Sequence, residues 1–172
     1  EVLFLTDTID IFTIPYVREY EGKALKSIEK ADIKIESNSN DETKISQEQK
    51  DKLIAKFKQV LGDKVENVVP SSRLVDSPVT LVVGEQGLDP QLEKMMQVLD
   101  KDFTVSKRIL EINLSHPIIN NLLRKLENGN EALVNDAIHQ LYEGALLIEG
   151  YMKNPVDFVK RMNRFIEEAT KI

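Results

Sequence analysis

Few residues of this chain have the types and spacing that chemistry requires. Neither of the two histidines, His116 and His139, sits in a cluster with the spacing of a metal site, and we interpret both as structural. Cysteine is absent, which excludes a thiol nucleophile, a disulfide and a cysteine-ligated metal. The acidic pair Glu167 and Glu168 lies on the predicted solvent face of the last helix. We therefore predict no catalytic, cofactor-binding or metal-binding residue, and no enzymatic activity, in this chain.

The loop from Gly84 to Gly87 is the one segment that could suggest phosphate binding. It follows an apolar strand, but it lacks the glycine pattern of a P-loop or a dinucleotide-binding turn. The serines are not part of any nucleophile motif with a base. A small α+β hydrolase or transferase that uses this loop remains the alternative, and a titration with ATP would separate it from our prediction of no binding.

Composition limits the partners. The chain has 172 residues, of which 41% are hydrophobic and 30% charged, as in soluble globular proteins. The formal charge of −6 does not favour nucleic acid, and no apolar run is long enough to span a membrane. The absence of cysteine fits a reducing compartment, so we expect a cytoplasmic protein.

The segment from Gly87 to Leu99 predicts an amphipathic helix with an adhesive face. Asp89 can cap it, and Pro90 suits its first position. Its apolar side chains either pack on the core of their own domain or bind other proteins, for which flexible methionines are suited. The candidate binding residues are Leu88, Leu92, Met95, Met96 and Leu99.

The last forty residues predict two helices, Glu131 to Glu149 and Pro155 to Lys171, joined by a short hinge. The run LYEGALLI between Leu141 and Ile148 contains one charged residue, so this helix is apolar on nearly all sides. Two such hairpins across a two-fold axis would form a four-helix bundle, whereas the alternative packs both helices on their own strands. The predicted dimer contacts are Ile138, Leu141, Tyr142, Ala145, Leu146, Ile148, Phe158, Met162, Phe165 and Ile166.

The remaining pattern predicts an α+β domain, with a small mixed sheet and flanking helices. Glu1 to Leu5 indicates a buried strand, and a helical stretch follows to about Tyr20, split by Pro15. Ser46 and Gln49 form a capping box for the next helix. The further elements are strands at 65–69, 79–83 and 109–112, of which VTLVV at 79–83 is expected to be central, and a helix at 117–126.

Several of these motifs resemble the ninety-kilodalton heat-shock chaperone family. EVLFLTDTID with YEGKALKSI is similar to the end of that family's middle domain. SSRLVDSPVTLVV, ILEINLSHPII and LYEGALLIEGYMKNPVDFVKRMNRFI resemble successive signatures of its C-terminal domain, with the bacterial members most similar. The chain departs from the family pattern at Thr8 and Leu114, where proline is usual.

The resemblance implies a division into the end of the middle domain (1–36), a polar linker (37–45) and a C-terminal dimerisation domain (46–172). It implies a fragment of a longer, ATP-driven stress-response chaperone that forms homodimers. The nucleotide site, with ATP and Mg, would lie in an N-terminal domain outside this chain. The last two helices would form the dimer contact, and Leu88, Leu92 and Met96 would bind unfolded client proteins. A structural dimerisation module without client contact is the alternative.

Overall fold

The computed structural model describes residues 2–7, 9–17, 19–27, 45–84, 87–88, 90–100 and 103–171. The chain divides into two compact units. The smaller unit consists of the described residues of Glu1–Ile33 and Val83–Lys107, and the larger unit of those of Lys34–Val82 and Arg108–Ile172. The predicted linker, apart from Ile45, lies outside the described residues, as do the predicted cap Asp89 and the middle of the Gly84–Gly87 loop.

The larger unit begins with helix α2 (Gln47–Leu61), and the predicted capping box is confirmed. The Ser46 hydroxyl accepts a hydrogen bond from the Gln49 main-chain N–H at 3.2 Å, and the Gln49 side chain accepts one from the Ser46 N–H at 3.0 Å. These bonds satisfy donors that the first turn of a helix leaves without partners. The buried face of α2 is apolar and carries Leu53, Phe57 and Leu61.

The larger unit contains a three-stranded sheet of β3 (Asn67–Pro70), β4 (Val79–Val83) and β5 (Arg108–Ile112). The order is β3-β5-β4, and β3 runs parallel to β5 with Val68 opposite Leu110. The prediction that the VTLVV strand is central is therefore wrong, because β5 occupies the middle of this sheet.

The buried carboxylate of Glu111 on β5 explains why the sequence did not identify β5 as the central strand. Glu111 is only 5% exposed. The guanidinium of Arg73 donates to both of its carboxylate oxygens, at 2.9 and 3.0 Å, and the Ser71 hydroxyl donates at 2.8 Å. A paired and hydrogen-bonded charge can be buried, so the apolar content of a strand did not reveal its place in the sheet.

Three helices complete the larger unit: α4 (Pro117–Glu127), α5 (Glu131–Glu149) and α6 (Val156–Thr170). The imidazole Nδ1 of His116 accepts a hydrogen bond from the Ile118 N–H at 3.1 Å, so this histidine caps α4. Helix α5 packs against α2, α4 and α6. No described helix is both long and apolar enough to cross a membrane.

The larger unit has its core between α2, the sheet, α4 and α5. Its most deeply buried apolar residues, each no more than 1% exposed, are Leu53, Phe57, Val68, Leu110, Ile112, Ile119, Val134 and Ile138. The predicted α+β class is confirmed.

The smaller unit contains α1 (Asp10–Thr13), a 3-10 turn at Ile14–Tyr16, the strands β1 (Glu19–Tyr20) and β2 (Lys23–Ala24), and α3 (Pro90–Leu99). The α-helix ends before the proline, as expected. It does not continue to residue 20, because the chain forms an antiparallel two-stranded hairpin there instead.

The turn of that hairpin requires unusual backbone angles. Glu21 and Gly22 have φ of 49° and 75°. Positive φ at both central positions defines the turn that best matches the twist of two antiparallel strands.

The predicted buried strand at Glu1–Leu5 is wrong for its described residues. Val2 and Phe4 are 60% and 86% exposed, and residues 2–6 form no strand. A strand needs a neighbour to accept and donate its ladder hydrogen bonds, and no described strand pairs with this segment.

Candidate functional site

Helix α5 has more apolar side chains than the larger unit covers. Its inner face carries Val134, Ile138, Tyr142 and Ala145, at the spacing of one helix face, and all four are buried. Beyond this face, Leu147 and Ile148 near the end of the helix are 52% and 86% exposed. The helix therefore offers an uncovered apolar surface at the end that leads to α6.

The end of α5 is a Schellman motif. Gly150 has φ of 77°, and its N–H donates to the Leu147 carbonyl at 3.1 Å. The Tyr151 N–H donates to the Leu146 carbonyl at 2.9 Å. This pair of bonds satisfies the last carbonyls of the helix and turns the chain toward α6.

Helix α6 rests on α5 by one face. Phe158 and Phe165 are half-buried, and Phe158 Cε2 lies 3.9 Å from the position that a Cβ atom would take on Gly144. The two helices also form two ion pairs, Arg161 with Glu143 and Arg164 with Asp136. The second pair joins Nη2 and Oδ2 at 3.0 Å.

The other face of α6 is uncovered. No residue of this fully described helix is buried. Four apolar side chains, between 38% and 53% exposed, follow the spacing of one helix face. We name this set the outer stripe; it consists of Val156, Val159, Met162 and Ile166.

His139 on α5 lies in the field of the charges around this hairpin. Burial lowers its pKa, and the positive charges of Lys64 and Arg161 lower it further, against smaller opposing effects of Glu143 and Asp136. Its Nδ1 atom is buried without a hydrogen-bond partner among the described residues. The neutral imidazole is therefore favoured in the folded state.

Helix α3 of the smaller unit has a second apolar surface. Leu88, Met95 and Leu99 are 42%, 44% and 71% exposed, whereas Leu92 and Met96 are half-buried. Glu93 is completely buried, and its Oε1 accepts a hydrogen bond from the Ser106 N–H at 3.3 Å. This bond joins the helix to the segment that follows it and directs its opposite face outward.

The sequence can now be compared with known proteins. A family model described as "Hsp90 protein" matches residues 1–172. The chain belongs to the Hsp90 family. This match confirms the resemblance found in the sequence motifs. The motifs fall on elements of both the smaller and the larger unit. SSRLVDSPVTLVV includes the Arg73 that pairs with Glu111, and LYEGALLIEGYMKNPVDFVKRMNRFI covers the second half of α5 and most of α6.

Three curated bacterial proteins are similar to this Hsp90-family chain. The Chaperone protein HtpG of Chlorobium luteolum is 48% identical over 172 residues, and that of Chlorobaculum tepidum 47% over 175. That of Treponema denticola is 41% identical over 172 residues, which include 96% of the chain. The alignments with the Chlorobium luteolum and Chlorobaculum tepidum proteins include 99% of the chain but only 28% of each relative. The chain therefore spans little more than a quarter of the length of these relatives.

The structure distributes the predicted dimer residues over three environments. Those buried within their own unit are Ile138, Tyr142 and Ala145. Those half-buried are Leu141, Leu146, Phe158 and Phe165. Those exposed are Ile148, Met162 and Ile166. The role of these residues in an interface stays a prediction, and the residues of the exposed group are 86%, 38% and 53% free to contact another molecule.

Four exposed apolar residues of α3, α5 and α6 were missing from the predicted sites. Val98 on α3 is 81% exposed, Leu147 and Val156 are each 52% exposed, and Val159 is 41% exposed. Val98 follows Met95 by three positions, which is the spacing of neighbours on a helix surface and could have identified it. No equivalent signal marks Leu147, because α5 is apolar on both sides of it.

The described residues contain no group of three histidine, cysteine, aspartate or glutamate side chains that could hold a metal ion.

Proposed function

We propose that this chain is the C-terminal part of an HtpG-type chaperone and that it joins two protomers through α5 and α6. The observation that carries the proposal is that both the outer stripe of α6 and the end of α5 are exposed apolar surfaces. An apolar surface of this kind on a soluble protein is typical of an interaction site. A second copy is the occupant we propose, since α5 and α6 can pair across a two-fold axis as a four-helix bundle.

The size of the exposed surface fits a dimer that is stable but can dissociate. Five exposed side chains per protomer contribute most: Leu147, Ile148, Val159, Met162 and Ile166. Burying the exposed half of ten such side chains would contribute about 7–15 kcal/mol, at about 1.5–3 kcal/mol for each complete side chain. Association costs about 4–15 kcal/mol, so we expect dissociation to be measurable.

Sedimentation of the chain and of two variants tests the dimer. Met162→Glu and Ile166→Glu place a charge in the outer stripe, where it would be buried without a partner in the dimer. We expect the parent chain to sediment as a dimer at micromolar concentration and both variants as monomers. Gln59→Glu on the exposed side of α2 makes the same charge change and should leave the dimer intact. A monomeric parent, or variants that stay dimeric, would contradict the proposal.

We also propose that α3 forms part of the surface that binds unfolded client proteins. Its exposed apolar residues include Met95, which is unbranched, and Leu99, which is γ-branched, and such side chains can adapt to varied apolar segments. Met95→Ser combined with Leu99→Ser should weaken suppression of the aggregation of an unfolded protein and leave the dimer unchanged. Val75→Ser removes a side chain that is 82% exposed outside α3 and serves as the control. Equal suppression by all three proteins would favour a module that only dimerises.

The proposed chaperone would use ATP and Mg through a part of the protein outside this chain. The chain itself would offer a dimer contact that keeps two such parts at high effective concentration, so that their meeting becomes intramolecular. Calorimetric titration of the chain with ATP and Mg should therefore give no binding. Saturable binding of ATP would contradict this division of roles.

A further inference from the structure

A buried arginine on the central strand contacts the hinge between α5 and α6. Arg108 is the first residue of β5 and is 7% exposed. Its Nη2 donates a hydrogen bond to the Tyr151 hydroxyl at 3.0 Å. Its guanidinium carbon lies 5.1 Å from the centroid of the tyrosine ring, within the range of a cation–π contact.

Both ends of this contact are held in place. The main-chain oxygen of Arg108 accepts a hydrogen bond from the Glu66 N–H at 2.8 Å, which fixes the arginine to the sheet. Tyr151 is fixed through its main chain by the Schellman motif at the end of α5. The contact therefore relates the direction in which the chain leaves α5 to the rigid centre of the sheet.

We propose that Arg108 is a positioning residue for dimer formation: through Tyr151 it holds the hinge so that α6 presents its outer stripe in one orientation. The inference rests on the proposed dimer. Helix α6 has no buried residue, so its orientation depends on its half-buried face against α5, on the two ion pairs with α5 and on contacts at the hinge. A guanidinium suits this role because its planar group can donate a directed hydrogen bond and contact an aromatic ring at once.

A looser hinge weakens the dimer through the fraction of protomers that are ready to bind. The apparent dissociation constant rises as the inverse of that fraction for each partner, hence as its inverse square for two equal partners. If Tyr151→Phe or Arg108→Met lowers the fraction to about one third, the constant rises roughly tenfold. Both changes remove the hydrogen bond between Arg108 and Tyr151, although only Arg108→Met also removes the cation–π contact, so the double variant should lose no more affinity than Arg108→Met alone.

The control lies at the other end of the same strand. The Asn113 side chain is 5% exposed and donates hydrogen bonds to the Val75 and Ser77 carbonyls, at 3.0 and 3.3 Å, in the loop before β4. Asn113→Ala should lower the unfolding midpoint but leave the dissociation constant of the dimer unchanged. Arg108→Lys keeps a cation beside the ring and should restore part of the affinity that Arg108→Met loses.

A second measurement observes the hinge inside one protomer. The chain has no cysteine, so spin labels can be placed at Ala132→Cys on α5 and Thr170→Cys on α6. In labelled protein diluted into an excess of unlabelled protein, the parent should give one narrow distribution of distances. Tyr151→Phe and Arg108→Met should broaden it, and Asn113→Ala should not.

The outcomes separate the two proposals. A dimeric parent with unchanged dissociation constants in the hinge variants, or an unchanged distance distribution, would overturn the role of Arg108 and leave the dimer proposal standing. A monomeric parent would overturn the dimer and with it the positioning role. A tenfold loss of affinity with a broadened distribution, absent in Asn113→Ala, would support the inference.

Discussion

The hydroxyl of Tyr142 on α5 donates a hydrogen bond to the main-chain oxygen of Lys64, 3.1 Å away in the turn that follows α2. Tyr142 is 9% exposed, and burial raises the pKa of its phenol. The residue thus joins two elements of the same unit, although its place in an apolar helix suggested a contact between protomers.

Tyr142→Phe separates these two roles. It removes one hydrogen bond and keeps the ring, so we expect the free energy of unfolding to fall by about 0.5–1.5 kcal/mol. The dissociation constant of the dimer should stay within experimental error. Urea denaturation and sedimentation measure the two quantities; a large loss of affinity with unchanged stability would return Tyr142 to the interface.

The lowered pKa of His139 predicts that the free energy of unfolding decreases at acid pH. Its pKa in the folded chain is lowered, chiefly by burial and then by Lys64 and Arg161, from an ordinary value of about 6.5. As pH falls below about 6.5, the unfolded chain binds this proton first, so the free energy of unfolding decreases. The contribution of the neutral His139 to the free energy of unfolding is complete at pH values above about 6.5.

The comparison between the parent and His139→Gln isolates this effect. Urea unfolding at pH of about 7.5 and about 5.5 should show a smaller loss of stability in the variant, which has no imidazole to protonate. The other charged groups around the site, Glu143, Asp136, Lys64 and Arg161, are common to both proteins. Equal losses would show that His139 does not cause the acid sensitivity.

The buried ion pair of Arg73 and Glu111 should contribute far more to the free energy of unfolding than an ion pair on the surface. Glu111→Gln breaks this buried pair by removing the carboxylate of Glu111 from the guanidinium of Arg73, whose side chain is 12% exposed, and should lower the free energy of unfolding by about 3–5 kcal/mol. Lys160→Gln breaks a pair with Asp157 in which both side chains are 72% exposed, and should change it by about 0–1 kcal/mol. Chemical denaturation measures both, and similar losses would contradict this ranking.

The close packing beside position 87 leaves no space for a Cβ atom, so this position requires glycine. A Cβ atom at this position would lie 2.1 Å from Cγ1 of Val83, a residue that is 2% exposed. Gly87→Ala should therefore destabilise the smaller unit by about 1–3 kcal/mol. In a Val83→Ala background the same change should have less effect, and hydrogen exchange across 87–100 would report it. Additive effects of the two substitutions would exclude a steric cause.

Local patterns predicted the helices and turns well. The bounds of α5 are those expected, α6 is one residue shorter at each end, and the Ser46–Gln49 capping box forms. These features depend on neighbours within one or two turns, which the sequence displays directly.

Features that depend on distant residues could not be predicted. The central position of β5 follows from a charge pair between Glu111 and Arg73, 38 positions apart. In the same way, Ala145 and Ile148 are expected on one face of α5, yet the first is 7% and the second 86% exposed. Helical periodicity gives the face, but how far along the helix the core extends depends on α2 and α4.

The parallel pairing of β3 with β5 has a consequence for how the chain folds. Residues 71–107, including β4 and α3, must emerge before the centre of the sheet can close, whereas α4, α5 and α6 pack with neighbours in sequence. Such long-range pairing is slow, so α4, α5 and α6 should form before the sheet when the complete chain refolds from denaturant. Doubling the length of a flexible crossover adds only about 0.6 kcal/mol of closure entropy. The length of the segment that carries α3 could therefore change during evolution with little effect on the free energy of pairing β3 with β5.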